Sequence, residues 1–259
     1  MRILALGDVV SSIGCDALAD VLPKLKQDKN IDFCVVNGEN CADGNGMLQK
    51  PVERIFSYGA DVVTGGNHTY RRREFYSYLD ENDYVVRPAN FPENAAGKGM
   101  CVYDMGRVKI AVISIMGVVF MDALKSPFET LDEYIEKAKA ENCKIILVDF
   151  HAEATAEKRC MGYYADGRVS AFFGTHTHIQ TNDLQIFENG TGYITDLGMC
   201  GPKHSVLGIK PELAIEKQKT HLPVRFENAE GECEICGAVF EIDENTGKCI
   251  KTELVSITK

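Results

Sequence analysis

The 259-residue chain is predicted to adopt an α/β fold, and three observations carry that prediction. Over the first two-thirds, short apolar runs alternate with stretches of helical period, the pattern of parallel βαβ units. Several of those runs are apolar throughout, as strands buried on both faces are. From about Gln185 onward the chain turns strand-rich, which adds an expected second, partly antiparallel sheet. Together they make an α/β sandwich.

The elements follow in order. Ile3–Leu6 is an apolar run and reads as the first strand. Asp16–Lys26 places Leu18, Val21, Leu22 and Leu25 on one helical face, with Pro23 as a point of bending. Phe33–Val36 is a strand. Pro51–Phe56 is a short helix with proline in its first turn. Asp61–Thr64 is a strand and Arg72–Leu79 a helix. Lys109–Ile115 is a strand. Leu131–Ala140 sets Leu131, Tyr134, Ile135 and Ala138 on one face. Lys144–Phe150 and Ala171–Phe173 are strands. The last third contributes Tyr193–Thr195, Pro223–Phe226, Gly237–Ile242 and Cys249–Ser256.

Composition bounds the class. The chain is 45% hydrophobic and 25% charged, enough to bury a core and too balanced for disorder. One domain over residues 1–259 is expected, with no repeat, low-complexity tract or linker. The start, Met1-Arg2-Ile3-Leu4-Ala5-Leu6-Gly7-Asp8, is too short an apolar run for a signal peptide. No stretch approaches the ~20 apolar residues that cross a bilayer. A soluble, cytoplasmic protein is expected, with no membrane partner.

The ten cysteines are scattered, several in apolar runs, and read as reduced thiols. Cys233-Glu234-Ile235-Cys236 lacks the second ligand pair a zinc site needs, so it reads as a turn entering a strand. A net charge of −10 argues against general nucleic-acid binding. A small anionic substrate fits such a chain where bound metal makes the local field positive.

The chemistry sits at the strand ends. Ile3–Leu6 ends in Gly7-Asp8, and Phe33–Val36 in Asn37-Gly38-Glu39-Asn40. Asp61–Thr64 ends in Gly65-Gly66-Asn67-His68, and Lys144–Phe150 in His151. Ala171–Phe173 ends in Gly174-Thr175-His176-Thr177-His178. Ligands of open α/β sheets bind beyond the carboxyl ends of strands. Carboxylate, amide oxygen and imidazole together suit borderline-to-hard divalent metals. Asp8, Glu39, Asn40, Asn67, His151, His176 and His178 are too many for one ion and suit two, with one carboxylate bridging. Singly, Asp8 reads as a cap, Asn67 as a turn residue and His151 as a hydrogen-bonded histidine. His176 and His178 are stronger, because alternate residues of an extended segment project to one side. Jointly, at five strand ends, they read as a dinuclear metal site.

These same segments resemble the calcineurin-like metallophosphoesterases, whose pattern runs from a first-strand Asp through Gly-Asn-His to a late Gly-His-x-His. The chain is more closely similar to one branch, the YmdB-like phosphodiesterases, along nearly its whole length. Further matching segments are Arg87–Pro92, Asp149–Thr155 and Leu222–Phe226. The resemblance implies a four-layer α/β-β/α sandwich with a small cap. It implies a first metal on Asp8, Glu39, Asn40 and His178, and a second on Glu39, Asn67, His151 and His176, with Glu39 bridging. It implies His68 as the acid or charge stabiliser. The implied activity is hydrolysis of small phosphodiesters, above all 2′,3′-cyclic nucleoside monophosphates. Val10 stands where most of the superfamily has a histidine, and Glu39 where the usual bridge is Asp. Both departures are shared with the YmdB-like branch. Iron or manganese is the expected metal, with zinc or magnesium as alternatives.

The expected mechanism is attack on phosphorus by a metal-bridging hydroxide, with His68 protonating the leaving ribose oxygen. Arg87–Asn90 reads as a rigid loop and Arg71–Arg73 as a solvated helix face. Thr195-Asp196 is a candidate for orienting a ligand histidine. His204 and His221 fall outside the pattern. The competing readings are a metal-dependent amidohydrolase and a catalytically weak metal-binding regulator acting through protein or RNA-processing partners. A homo-oligomer is compatible with either.

Overall fold

A computed structural model describes residues 1–259. The strands are β1 (Arg2–Leu6), β2 (Asp8–Val9), β3 (Phe33–Asn37), β4 (Val62–Thr64), β5 (Val85–Val86), β6 (Met100–Asp104) and β7 (Lys109–Met116). They continue with β8 (Ile145–His151), β9 (Ala171–Thr175), β10 (Gln185–Ile186), β11 (Gly192–Ile194), β12 (Met199–Pro202), β13 (Cys233–Ile242) and β14 (Cys249–Thr258). The helices are α1 (Ser11–Asp28), α2 (Gln49–Ser57), α3 (Tyr76–Glu81), α4 (Pro127–Ala140), α5 (Thr155–Ala165) and α6 (Pro211–Thr220).

Two sheets form. In the first, β1, β3, β4 and β5 run parallel, and β1 pairs antiparallel with β13. One edge of β13 is shared by β1 and β12, and the other carries β14. In the second, β7, β8, β9 and β11 run parallel, with β6 and β10 antiparallel at the two edges.

Alternation along the strands builds four layers. Ile3, Ala5, Phe33 and Val35 of the first sheet meet Ile110, Val112, Leu147 and Phe173 of the second in a central apolar layer. Leu4, Leu6, Cys34 and Val36 point the other way and pack on Leu18 and Leu22 of α1 and Val52 and Ile55 of α2. Ile113, Val148 and Phe150 pack outward on Leu131 and Ile135 of α4 and Met161 of α5. The strands are thus buried on both faces, as their unbroken apolar composition implies. The α/β-β/α order is the expected sandwich.

Several expectations are corrected. The last hairpin, β13–β14, completes the first sheet instead of a second one, because β1 needs an antiparallel neighbour on its free edge. Pro223–Phe226 forms no strand; the segment is largely exposed and pairs with nothing. α6 was not foreseen. Only Ala214 of it is buried, so it has no apolar stripe to betray it. It lies in an excursion between β12 and β13. The first helix begins at Ser11, well before Asp16, and runs on through Pro23. Its start is set by tertiary partners: Ser11 N donates to Asn40 O at 2.8 Å and Ser12 N to Asp43 Oδ1 at 2.9 Å. Arg72–Leu79 resolves into a 3-10 turn, Arg73–Phe75, followed by α3. Cys233 and Cys236 both lie on β13, and all ten cysteines are free. No helix is long and apolar enough to cross a membrane.

Candidate metal centre

The carboxyl ends of β3, β4, β8 and β9 lie together because one buried side chain ties them. Asp149 of β8 is fully buried and accepts hydrogen bonds from Asn37 Nδ2 (3.0 Å), Thr64 Oγ1 (2.5 Å) and Thr175 Oγ1 (2.6 Å). Two of those donors belong to the first sheet and one to the second, so a single carboxylate pins the two sheets at the same rim. Burial pushes its acidity down to a pKa of about 6, against the nearby His151 and the three donors.

Above that hub the seven predicted ligands converge. Glu39 Oε2 lies 3.2 Å from His151 Nε2. His151 Nε2 is 2.8 Å from Asn67 Oδ1 and 3.1 Å from His176 Nδ1. Those atoms make one corner. Asn40 Nδ2 is 2.9 Å from Glu39 Oε1 and 3.4 Å from His178 Nε2, which is 3.5 Å from Asp8 Oδ1. Those atoms make a second corner, and Glu39 touches both.

Each histidine has its outer nitrogen occupied. Thr175 Oγ1 donates to Asp149, so it can only accept from His151 Nδ1 at 2.9 Å. His176 Nε2 faces Glu153 Oε2 at 3.1 Å. His178 Nδ1 donates to the Leu207 carbonyl at 3.1 Å. In a neutral ring, outer partners of this kind fix the tautomer and leave the inner nitrogen as a lone pair. Three lone pairs, two carboxylates and the Asn67 amide oxygen then face each other in a buried pocket, relieved only by the Asn40 amide nitrogen, an arrangement that repels itself unless a cation or a proton sits within. Asp8 Oδ1 is buried with no hydrogen-bond partner. The residues fit divalent metal.

The backbone is shaped for this. A Cβ on Gly66 would lie 2.3 Å from Glu39 Oε2 and 2.4 Å from His151 Nε2, so only glycine lets the turn come so close. A Cβ on Gly174 would lie 1.8 Å from Thr195 O. The His176-Thr177-His178 segment is not extended as expected. β9 stops at Thr175, and His176 (φ 97°) and His178 (φ 63°) are both left-handed. Their shared direction comes from two strained residues, not from strand alternation. Asp196 holds them so: its Oδ2 accepts from Thr177 N and Oγ1 and pairs with fully buried Lys158 at 2.6 Å. Asp196 therefore positions the turn, and touches neither imidazole.

His68 lies beside the cluster, half-buried. Its Nδ1 is 3.0 Å from Glu39 Oε1 and 2.9 Å from Asn40 Oδ1, and its Nε2 has no protein partner. Arg87 is buried, with Nη1 donating to Pro88 O, and Asn90 clasps Met116 through both amide atoms. These bonds tie the loop to the end of β7. Arg71 and Arg73 are exposed, while Arg72 ties Asp43 O and Asn45 O. His204 is exposed near Glu232, and His221 ends α6 in a left-handed turn. Sequence reasoning missed Asn37, Thr64, Asp149, Glu153, Lys158 and Thr175. The one visible signal was Asp149, an acid inside the apolar run Ile145–Phe150.

The profile of YmdB-like proteins matches residues 4–255. A 2′,3′-cyclic-nucleotide 2′-phosphodiesterase of Bacillus subtilis is 46% identical over 257 residues, covering 99% of this chain and 97% of that protein. The crystal structure of a novel phosphatase of Mycoplasma pneumoniae superposes with a TM-score of 0.94 at 35% identity, covering 100% of this chain and 93% of that one. A 5′-nucleotidase precursor of Thermus thermophilus superposes with a TM-score of 0.62 at 10% identity, over 99% of this chain and 54% of that one, and shows a shared fold.

Proposed function

Because this chain belongs to the YmdB-like family and is a phosphodiesterase of that kind, we propose that residues 1–259 form one metallophosphoesterase domain that hydrolyses 2′,3′-cyclic nucleoside monophosphates or related small phosphodiesters at a dinuclear centre. The observation that supports this best is the set of three imidazoles, each pinned on its outer nitrogen, whose inner nitrogens face Asp8, Glu39, Asn40 and Asn67. Asp8, Glu39, Asn40 and His178 would hold one cation, and Glu39, Asn67, His151 and His176 the other. Iron or manganese suits this oxygen-rich set, with zinc or magnesium as alternatives. Such ions supply positive charge against the phosphate oxygens and acidify a water.

The chain's own groups do the rest. Glu39 and Asn40 hold His68 by Nδ1, so the ring presents Nε2 outward. There it carries the proton that the departing ribose oxygen takes as water displaces it in line at phosphorus. Asp149 and Thr175 keep His151 in one tautomer, and Glu153 does the same for His176. Ten free cysteines suit a reducing, cytoplasmic setting.

The test is metal analysis of purified protein paired with hydrolysis of 2′,3′-cyclic AMP and an aryl phosphodiester, before and after chelation and add-back. Metal-dependent turnover of both is expected. Full metal content with no turnover of any phosphodiester would mean a metal-binding regulator instead.

A further inference from the structure

Nine non-glycine residues have positive φ, and five of them are proposed ligands or lie on segments hydrogen-bonded to proposed ligands: Ser11, Phe120, His176, His178 and Leu207. Four are accounted for. Ser11 starts α1 with a bond to Asn40 O, the two histidines point inward, and Leu207 offers its carbonyl to His178. Phe120 has no such role in these hydrogen bonds. It has φ 63° and is 88% exposed, the most exposed large hydrophobic side chain in the protein. An aromatic ring in a left-handed conformation, left in water, is disfavoured on both counts.

The structure nevertheless builds this turn firmly. It spans Val118–Met121, closed by Met121 N donating to Val118 O, and Phe120 occupies a central position where glycine is usual. Val118 N and Val119 N both donate to the carboxylate of Glu157, a buried residue in the first turn of α5. The turn hangs from the carboxyl end of β7, where Gly117 N donates to His151 O at 3.0 Å. Phe120 is three residues further on, at most about 10 Å of chain. Ile179, a second apolar side chain, directly follows His178 and is 62% exposed. The apolar groups thus stand on segments bonded to or continuous with His151 and His178.

Resting on the phosphodiesterase reading above, we propose that Phe120 is the nucleobase platform of this site: its ring stacks on the base of a nucleotide whose phosphate faces the metal ligands. Stacking suits a lone exposed aromatic, because every base has a π-face and no hydrogen-bond partner is required. The substrate class is then nucleotides, with sugar and polyol phosphodiesters disfavoured. Glu157 is the positioning residue that keeps the ring raised.

The experiment compares Mn²⁺-loaded wild type with Phe120→Ala and Phe120→Trp on 2′,3′-cyclic AMP and on glycerol 1,2-cyclic phosphate, the same ring ester without a base. The ratio of kcat/KM for the two substrates should fall about tenfold in Phe120→Ala, through KM, and be retained in Phe120→Trp. An unchanged ratio overturns the inference, as does a change of oligomeric state on gel filtration with the ratio unmoved, which would make Phe120 a contact between copies. If wild type hydrolyses neither ester, the phosphodiesterase reading fails by itself. Calorimetric binding of adenosine 2′-monophosphate then decides Phe120 alone: Phe120→Ala must weaken it about tenfold, and equal affinity rejects the platform.

Discussion

His151 Nε2 lies 2.8 Å from Asn67 Oδ1, and once the ring is neutral, with its one proton on the Nδ1 that donates to Thr175, neither atom brings a proton to the contact. With Glu39 Oε2 and His176 Nδ1 also close, the pocket needs a positive charge, and a divalent cation supplies it best. Glu39 touches both corners of the site. Glu39→Ala is therefore expected to lose both metals, whereas Asn67→Ala keeps about one ion per chain. Plasma mass spectrometry of dialysed protein reads this directly. Two ions retained by Glu39→Ala would remove the bridge.

Metal uptake should depend on pH with a definite sign. Burial alone would lower the pKa of His151, but Glu39, Asp8 and Asp149 carry it up to about 9. In metal-free protein at neutral pH the ring holds a proton, which a cation must expel. Affinity therefore rises with pH toward about 9, by up to tenfold per unit for one proton, and flattens beyond. His176, pulled down to about 4 by burial and by His151, adds no such dependence near neutrality. Calorimetry at pH 7 in two buffers of different ionisation enthalpy should give different heats; equal heats mean that no proton leaves.

His68→Ala should separate chemistry from metal. The His68 side chain meets Glu39 and Asn40 through Nδ1, and its backbone N–H donates to Glu39 Oε2 whatever the side chain, so its removal leaves the seven proposed ligand side chains in place. Turnover should drop about 10²–10⁴-fold with metal content unchanged. A parallel loss of metal would reassign His68 to the ligand set.

Gly66→Ala is expected to be more damaging to metal binding than its size suggests. The added methyl meets Glu39 Oε2 and His151 at once. Circular dichroism should stay native while metal content falls. Normal metal loading would show that the turn can retreat.

Lys158→Met tests the support beneath the histidine turn. It leaves Asp196 buried without its cation, a change that costs about 3–5 kcal/mol. Urea unfolding measures it. Because Asp196 also fixes Thr177, metal affinity should fall too. A loss below 1 kcal/mol, roughly the worth of a surface pair, would mean the pair is not holding the turn.

The amino-acid order alone determined the layers and which polar residues gather at the rim. Unbroken apolar runs require burial on both faces, and a polar cluster directly after such a run can only emerge at the sheet's rim. Asp8, Glu39, Asn67, His151 and His176 were legible for that reason. Other features depend on contacts between residues far apart in the chain, which no local pattern records. β13 slots beside β1 although more than 200 positions separate them. Asp149 gathers donors from three other strands, and Glu153 and Leu207 choose histidine tautomers across turns. Even the pair most readable in the chain, His176 and His178, meets for a reason hidden from it. Left-handed backbone held by Asp196 turns both rings inward, and only the packed tertiary structure sustains that strain.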